Sequence, residues 1–256
     1  MAILSGDVIH GGRAKSPVTE LLPVVEHVIQ KALEEKRTAL LEPEAKGICR
    51  AYGLPTPEFG VSSNPSEAAE LAEKLVFPVV LKIVSPDILH KTEAGGVLLK
   101  MKTRREVEDG FKQLISNAKA YKPNAKITGV FVQHMAENGV EVIVGGIRDS
   151  QFGATVLFGL GGIFVEILKD TAFRVAPLTD LDARDMIHEI HSYPVLEGIR
   201  GQPPADQEAI NLILRGTSRI ITENSRIDQI DLNPVMAYAH GASIVDARII
   251  LGEQVP

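Results

Sequence analysis

Val79-Val80-Leu81-Lys82-Ile83-Val84-Ser85-Pro86-Asp87-Ile88-Leu89-His90-Lys91-Thr92-Glu93-Ala94-Gly95-Gly96-Val97 joins an apolar, β-branched run to a loop with a histidine, a second lysine and a glycine pair. The residues from Phe77 to Val84 have the composition of a core strand. Lys82 sits inside it, where an unpaired ammonium is costly and so demands a partner. Gly95 and Gly96 let backbone amides approach a ligand, and amides with lysines make an anion site. A plain strand, an edge lysine and an ordinary glycine turn fit the same residues, because glycine-rich loops are weak signals.

The whole chain narrows the class. Its 256 residues, 45% of them hydrophobic, suffice for one large domain or two lobes with substantial cores. A net charge of -6 argues against a general nucleic-acid binder, whose affinity rests on clustered lysine and arginine. Any phosphate site is therefore local. Cys49 is the single cysteine, which excludes an internal disulfide and a cysteine-built metal centre and fits a reducing, cytoplasmic setting. No uncharged apolar run reaches the roughly 18 residues of a membrane span. Asp7, Arg13, Lys15 and Glu20 interrupt any signal-peptide pattern, so a soluble, unexported protein is expected.

Periodicity predicts a loose arm over the first 15 or so residues, then helices over Val18–Arg37 and Pro43–Tyr52. A short strand is expected over Glu58–Val61, and Asn64-Pro65-Ser66-Glu67 supplies a cap, a proline and an acid to open a helix. Thr103-Arg104-Arg105-Glu106 is a capping box for another. Strands are predicted at Gly129–His134 and Val140–Arg148, joined through Asn138-Gly139 as a hairpin-type return, then at Gln151–Gly159 and Phe173–Ala176. Helices follow over Thr179–Ile190 and Asp206–Asn224. This order points to α+β rather than an alternating parallel sheet. The expected division is an arm and helix over 1–40, one lobe over 41–130 and a second over 131–256.

Near the C-terminus, Gln229–Val235 runs into a turn at Ala239–Ala242 and returns through Ser243–Ile249. A four-residue loop would pair Tyr238 with Ser243, and hence Asn233 with Arg248. Asp231, Asn233, Asp246 and Arg248 would then share one face, leaving Leu232, Met236, Val245, Ala247 and Ile249 for the core. Two carboxylates and an amide oxygen suit a hard cation such as Mg²⁺; the competing account is a solvated face with an Asp–Arg ion pair.

Lysine strand, glycine loops and acidic hairpin together suggest Mg-nucleotide chemistry without a P-loop, since no G-x-x-x-x-G-K-[ST] occurs. The chain resembles ATP-grasp proteins, specifically the β subunit of ADP-forming acyl-CoA synthetases, relatives of succinyl-CoA synthetase. The resemblance spans Leu41 to Leu251 and is carried by L-K-I-V-S-P-D-I-L-H-K-T-E-A-G-G-V, V-I-V-G-G-I-R-D-S-Q-F-G, F-G-L-G-G-I-F-V-E, and D-L-N-P with V-D-A-R. It implies two α+β lobes with ATP or ADP between them. Lys82 would contact phosphate, Gln133-His134-Met135 would form the hinge against which adenine packs, and Glu141 would be a strand carboxylate of the nucleotide site. Asn233 and Asp246 would hold Mg²⁺, and Asp231 stands where succinyl-CoA synthetases carry a glutamate near the phosphohistidine.

His90 matches the second histidine of a phosphoryl relay that begins on a companion α subunit. Lys91 and the Gly95–Gly96 amides would offset charge on the transferring group. Without the resemblance, a loop histidine bonded to backbone is the simpler account. The implied activity converts acyl-CoA, ADP and phosphate to acid, CoA and ATP, with an α subunit carrying the CoA-binding and acyl-transfer domains in an α2β2 assembly. A stand-alone ATP-grasp carboxylate ligase and a nucleotide-sensing regulatory subunit are the alternatives. Weaker candidates are His188 and His191 as metal ligands, Glu166 and Arg174 near the second glycine segment, and Cys49 as a small core residue.

Overall fold

A computed structural model describes residues 22–162, 170–199 and 201–252. In chain order the elements begin with α1 (Leu22–Glu34), α2 (Glu42–Ala51), β1 (Phe59–Ser62), α3 (Pro65–Leu75), β2 (Val79–Val84), β3 (Val97–Met101), α4 (Arg104–Tyr121) and β4 (Gly129–His134). They continue with β5 (Val140–Asp149), β6 (Gly153–Leu160), β7 (Thr171–Val175), α5 (Asp180–Glu189), α6 (Gln207–Glu223), β8 (Ile227–Ala237), β9 (Ala242–Ile244) and β10 (Arg248–Leu251). The predicted arm, the first residues of the predicted helix over Val18–Arg37, and Glu166 lie outside the described residues. Two compact units result: Pro57–Met135, and the described residues up to Thr56 together with those from Ala136.

In the first unit an antiparallel sheet of order β1-β4-β2-β3 packs against α3 and α4. Strand β2 is buried along its whole length, which accounts for the unbroken apolar run that flanks Lys82. The predicted caps form: the Asn64 side chain accepts from Glu67 N at 3.0 Å, and Thr103 Oγ1 accepts from Glu106 N at 3.2 Å. Each satisfies an amide that a helix start otherwise leaves without an intrahelical partner.

In the second unit an antiparallel sheet runs β10-β8-β5-β6-β7, with β9 on β8. Its core draws Val142, Val144, Val156 and Phe158 from the sheet, Ile210, Ile213 and Ile221 from α6, and Ile48 and Cys49 from α2. The segment from Leu41 to Thr56, expected with the first lobe, therefore packs in the second unit. An amphipathic helix joins whichever sheet its apolar stripe covers, and sequence adjacency does not choose between two sheets.

Two further expectations are corrected. β4 and β5 do not form a hairpin, because β4 lies between β1 and β2 in one sheet while β5 lies between β8 and β6 in the other. The glycine of Asn138-Gly139 instead meets the end of β8, where an added Cβ would stand 2.6 Å from the Ala237 carbonyl oxygen. The C-terminal return is tighter by two residues: Tyr238 N donates to Gly241 O at 3.0 Å, and Asp231, not Asn233, faces Arg248. Gly241, at φ +85°, supplies the left-handed turn position that a side chain disfavours. A two-residue shift preserves the alternation, so the polar face survives. A second slip, in the pairing of β5 with β8 between Val142 and Val144, reverses burial along β8. Leu232, Ala247 and Ile249 face the core as expected, but Val235 and Ala237 replace Met236 there.

Candidate functional site

The loop between β2 and β3 is anchored at both ends. On the entry side Ile88 is buried, Asp87 Oδ2 accepts from Lys126 N at 2.6 Å, and Lys122 Nζ donates to Asp87 O at 3.2 Å. On the exit side Ala94 is buried and Asn117 Nδ2, from α4, donates to Gly95 O at 2.8 Å. What projects between the anchors is Leu89, His90, Thr92 and Glu93, all exposed, with Lys91 half-buried. His90 is thus presented on a held loop. Asp87, Lys122, Asn117 and Lys126 were not singled out by the sequence; only their spatial convergence on the loop marks them.

The glycine pair has a different use from the expected one. Gly95 N donates to Thr92 O at 3.0 Å and Gly96 N to Lys91 O at 2.7 Å, so both amides are engaged inside the loop. A Cβ at Gly96 would lie 2.6 Å from Ile83 Cγ2 and 2.9 Å from Lys91 O, and Gly95 has φ +58°. Close approach and a left-handed backbone explain the glycines without a ligand.

Lys82 occupies the middle of β2, 6% exposed, with Nζ 5.8 Å from the centre of the Phe131 ring on the neighbouring strand. The aromatic face partly offsets the burial of the ammonium. Gln133 is buried on β4. At the end of that strand the His134 ring turns to the C-terminus of α3, its Nδ1 3.0 Å from Leu75 O and 2.9 Å from Val76 O. Two carbonyl acceptors require that Nδ1 carries the proton. His134 N donates to Glu58 O and Met135 N to Pro78 O, so the expected hinge is firmly tied into its own unit.

In the second unit, Glu141 and Asn233 are exposed, Asp231 is exposed as a residue although its carboxyl is shielded from much of the solvent, and Asp246 is half-buried. Glu141, the second residue of β5, stands opposite Met236, and its carbonyl accepts from Gly161 N at 2.7 Å. A Cβ at Gly161 would stand 2.9 Å from that of Glu141, and one at Gly162 would stand 3.5 Å from its Oε2, which brings the second glycine segment against this carboxylate. Asp231 pairs with Gly145 on one side and Arg248 on the other. Its carboxyl is held above the usual range, first by loss of solvent and then by the neighbouring Asp246, with Arg248 opposing. Two mutually repelling carboxylates beside an amide oxygen are a donor set that fits a hard divalent cation. Among the described residues no group of three or more His, Cys, Asp and Glu side chains gathers for a metal. Any ion here would therefore draw further oxygens from water or phosphate.

The weaker candidates resolve structurally. His188 Nδ1 meets Arg184 O at 2.7 Å while its ring lies 4.5 Å from that of Tyr193, and His191 Nδ1 sits 3.2 Å from Asp170. Arg174 is ion-paired with Glu189. Cys49 is fully buried and its thiol is pushed up to about 12, mainly by burial, which suits packing and not nucleophilic chemistry.

The sequence matches the ATP-grasp domain family over residues 31–251. It is 50% identical over 224 residues to the β subunit of ADP-forming acetate–CoA ligase I of Pyrococcus furiosus, covering 88% of this chain and 96% of that one. ADP-forming acetate–CoA ligase I of Archaeoglobus fulgidus is 40% identical over 248 residues; the match covers 94% of this chain but 36% of that longer protein. A solved structure of acetyl-coenzyme A synthetase 1 from Ca. Korarchaeum cryptofilum, with coenzyme A, Ca-AMPCP and HgCl+, superposes with a TM-score of 0.87 at 47% identity, covering 89% of this chain and 99% of that one. A second form of that protein, at TM-score 0.79, 44% identity and coverages of 89% and 100%, holds coenzyme A and Mg-AMPPCP with its phosphohistidine segment pointing towards the nucleotide binding site. Sequence and fold agree: the chain belongs to the ATP-grasp family, among the β subunits of ADP-forming acetate–CoA ligases.

Proposed function

We propose that this chain is the nucleotide-binding subunit of an ADP-forming acetate–CoA ligase, which converts acetyl-CoA, ADP and phosphate to acetate, CoA and ATP, reversibly. The observation that carries this reading is the nearly end-to-end match, at 50% identity, to a β subunit of that enzyme. An α subunit supplies CoA binding and acyl transfer, and the complex is α2β2. Its substrates are soluble, and it works in the cytoplasm.

Within this reading His90 receives the phosphoryl group from the partner and passes it to ADP. The exposed loop tip suits this role, since a neutral imidazole is nucleophilic near pH 7 and the anchors on either side limit its wandering. Lys82 and Lys91 meet nucleotide or transferring phosphate, and the Gln133–Met135 segment flanks adenine. Asn233 and Asp246 would hold Mg²⁺, which when bound neutralises phosphate charge. Asp231 and Glu141 lie in the same sheet as Asn233 and orient the nucleotide end of the reaction.

Labelling tests the relay. With the α subunit, acetyl-CoA and labelled phosphate, the parent chain acquires acid-labile phosphate; His90→Ala acquires none, while its Mg-ADP affinity stays within about twofold. Label persisting on the His90→Ala chain would sink the assignment of His90.

A further inference from the structure

Lys46 is fully buried on α2, and the mechanism above gives it no task. Its Nζ lies 3.5 Å from Glu42 Oε1, also buried, and donates to the Val245 carbonyl at 2.6 Å. A buried ion pair is poor evidence of a stabilising device, because desolvation offsets much of the attraction and apolar residues of equal volume often serve as well. The target of the bond is more informative.

Val245 belongs to the three residues, 245–247, that interrupt the edge between β9 and β10. Its N–H donates to Pro234 O at 3.0 Å. The pair Pro234–Val245 is thus flanked in sequence by Asn233 on one side and Asp246 on the other. Lys46 thus donates to the backbone at the point where the chain leaves the ladder, one residue before Asp246.

We infer that Lys46 is a positioning residue for the cation site: by holding the Val245 carbonyl it sets where Asp246 stands relative to Asn233 and Asp231. This rests on the reading of Asn233 and Asp246 as cation ligands. Groups that orient metal ligands are commonly worth about 10- to 100-fold in metal affinity.

The test uses the full chain with Mn²⁺ as probe in the presence of ADP, its binding followed by electron paramagnetic resonance. Glu42→Gln with Lys46→Met removes both charges of the Glu42–Lys46 pair together. We expect a folded chain by circular dichroism whose Mn²⁺ affinity is weaker by about 10-fold, and near-parental affinity in Lys46→Arg, which keeps a donor and the charge. If the methionine pair does not fold, Glu42→Gln with Lys46→Gln replaces it, with the same weakening expected because the shorter amide falls short of the carbonyl. Parental Mn²⁺ affinity in either folded pair overturns the inference. Asp246→Asn, measured alongside, separates the two ideas: if it weakens Mn²⁺ binding and the Lys46 pair does not, only the positioning role falls; if neither does, the ligand reading falls as well.

Discussion

Asp231 shows how single residues here carry opposed demands. A carboxyl held above its ordinary value is disfavoured as the anion in the folded chain relative to the unfolded one. It therefore favours folding at acid pH, and that contribution is lost as pH rises through its folded value. Without divalent cation, Asp231→Asn should raise the thermal midpoint at pH 7, and the gain should vanish near pH 3, where the carboxyl is protonated in both states; calorimetry at the two pH values measures this. An unchanged midpoint at pH 7 would mean that the anion of Asp231 is not disfavoured in the folded chain. The residue types at this site and their shared face were legible in the sequence, whereas the register that sets which of them stand opposite one another was not. The expected hairpin placed Val235 opposite Asp246, and only the tighter turn at Gly241 brings Arg248 opposite Asp231.

At the scale of elements, the helices were legible because caps and 3.6-residue periodicity are local. Asn64 and Thr103 cap the helices they were expected to cap. Strand partners were less so: the Asn138-Gly139 signal suggested a return that the two sheets do not make. The His90 loop depends on a contact between elements distant in sequence, Asn117 on α4 with Gly95. Removing it with Asn117→Ala should cost about 1 kcal/mol in urea unfolding. Phosphoryl transfer should slow by about 10- to 100-fold, because a small misplacement of a reacting group is amplified in rate. Mg-ADP affinity should not change, and a parallel fall in affinity would argue that the loop itself binds nucleotide.

On the function proposed above, the whole molecule is a subunit that carries part of a reaction. Purified alone, it should bind Mg-ADP but make no ATP from acetyl-CoA, ADP and phosphate; adding the α subunit should restore turnover, and turnover by the chain alone would reverse the reading. The sequence by itself determined the α+β class, the helix caps, the core strand around Lys82 and the polar face that carries Asp231 and Asn233, because these follow from composition, period and short-range motif; the roles given to His90 and Asp231 come from the family resemblance. Tertiary structure decided that α2 belongs with the second unit, that β4 and β5 lie in different sheets, and that the Gly95 and Gly96 amides serve their own loop. It also decided that Lys46, unremarkable in sequence, grips Val245 from 199 residues away. The reason is common to all of these: an apolar stripe, a glycine or a lysine specifies what it needs, but its partner is chosen by packing between segments that the sequence does not bring together.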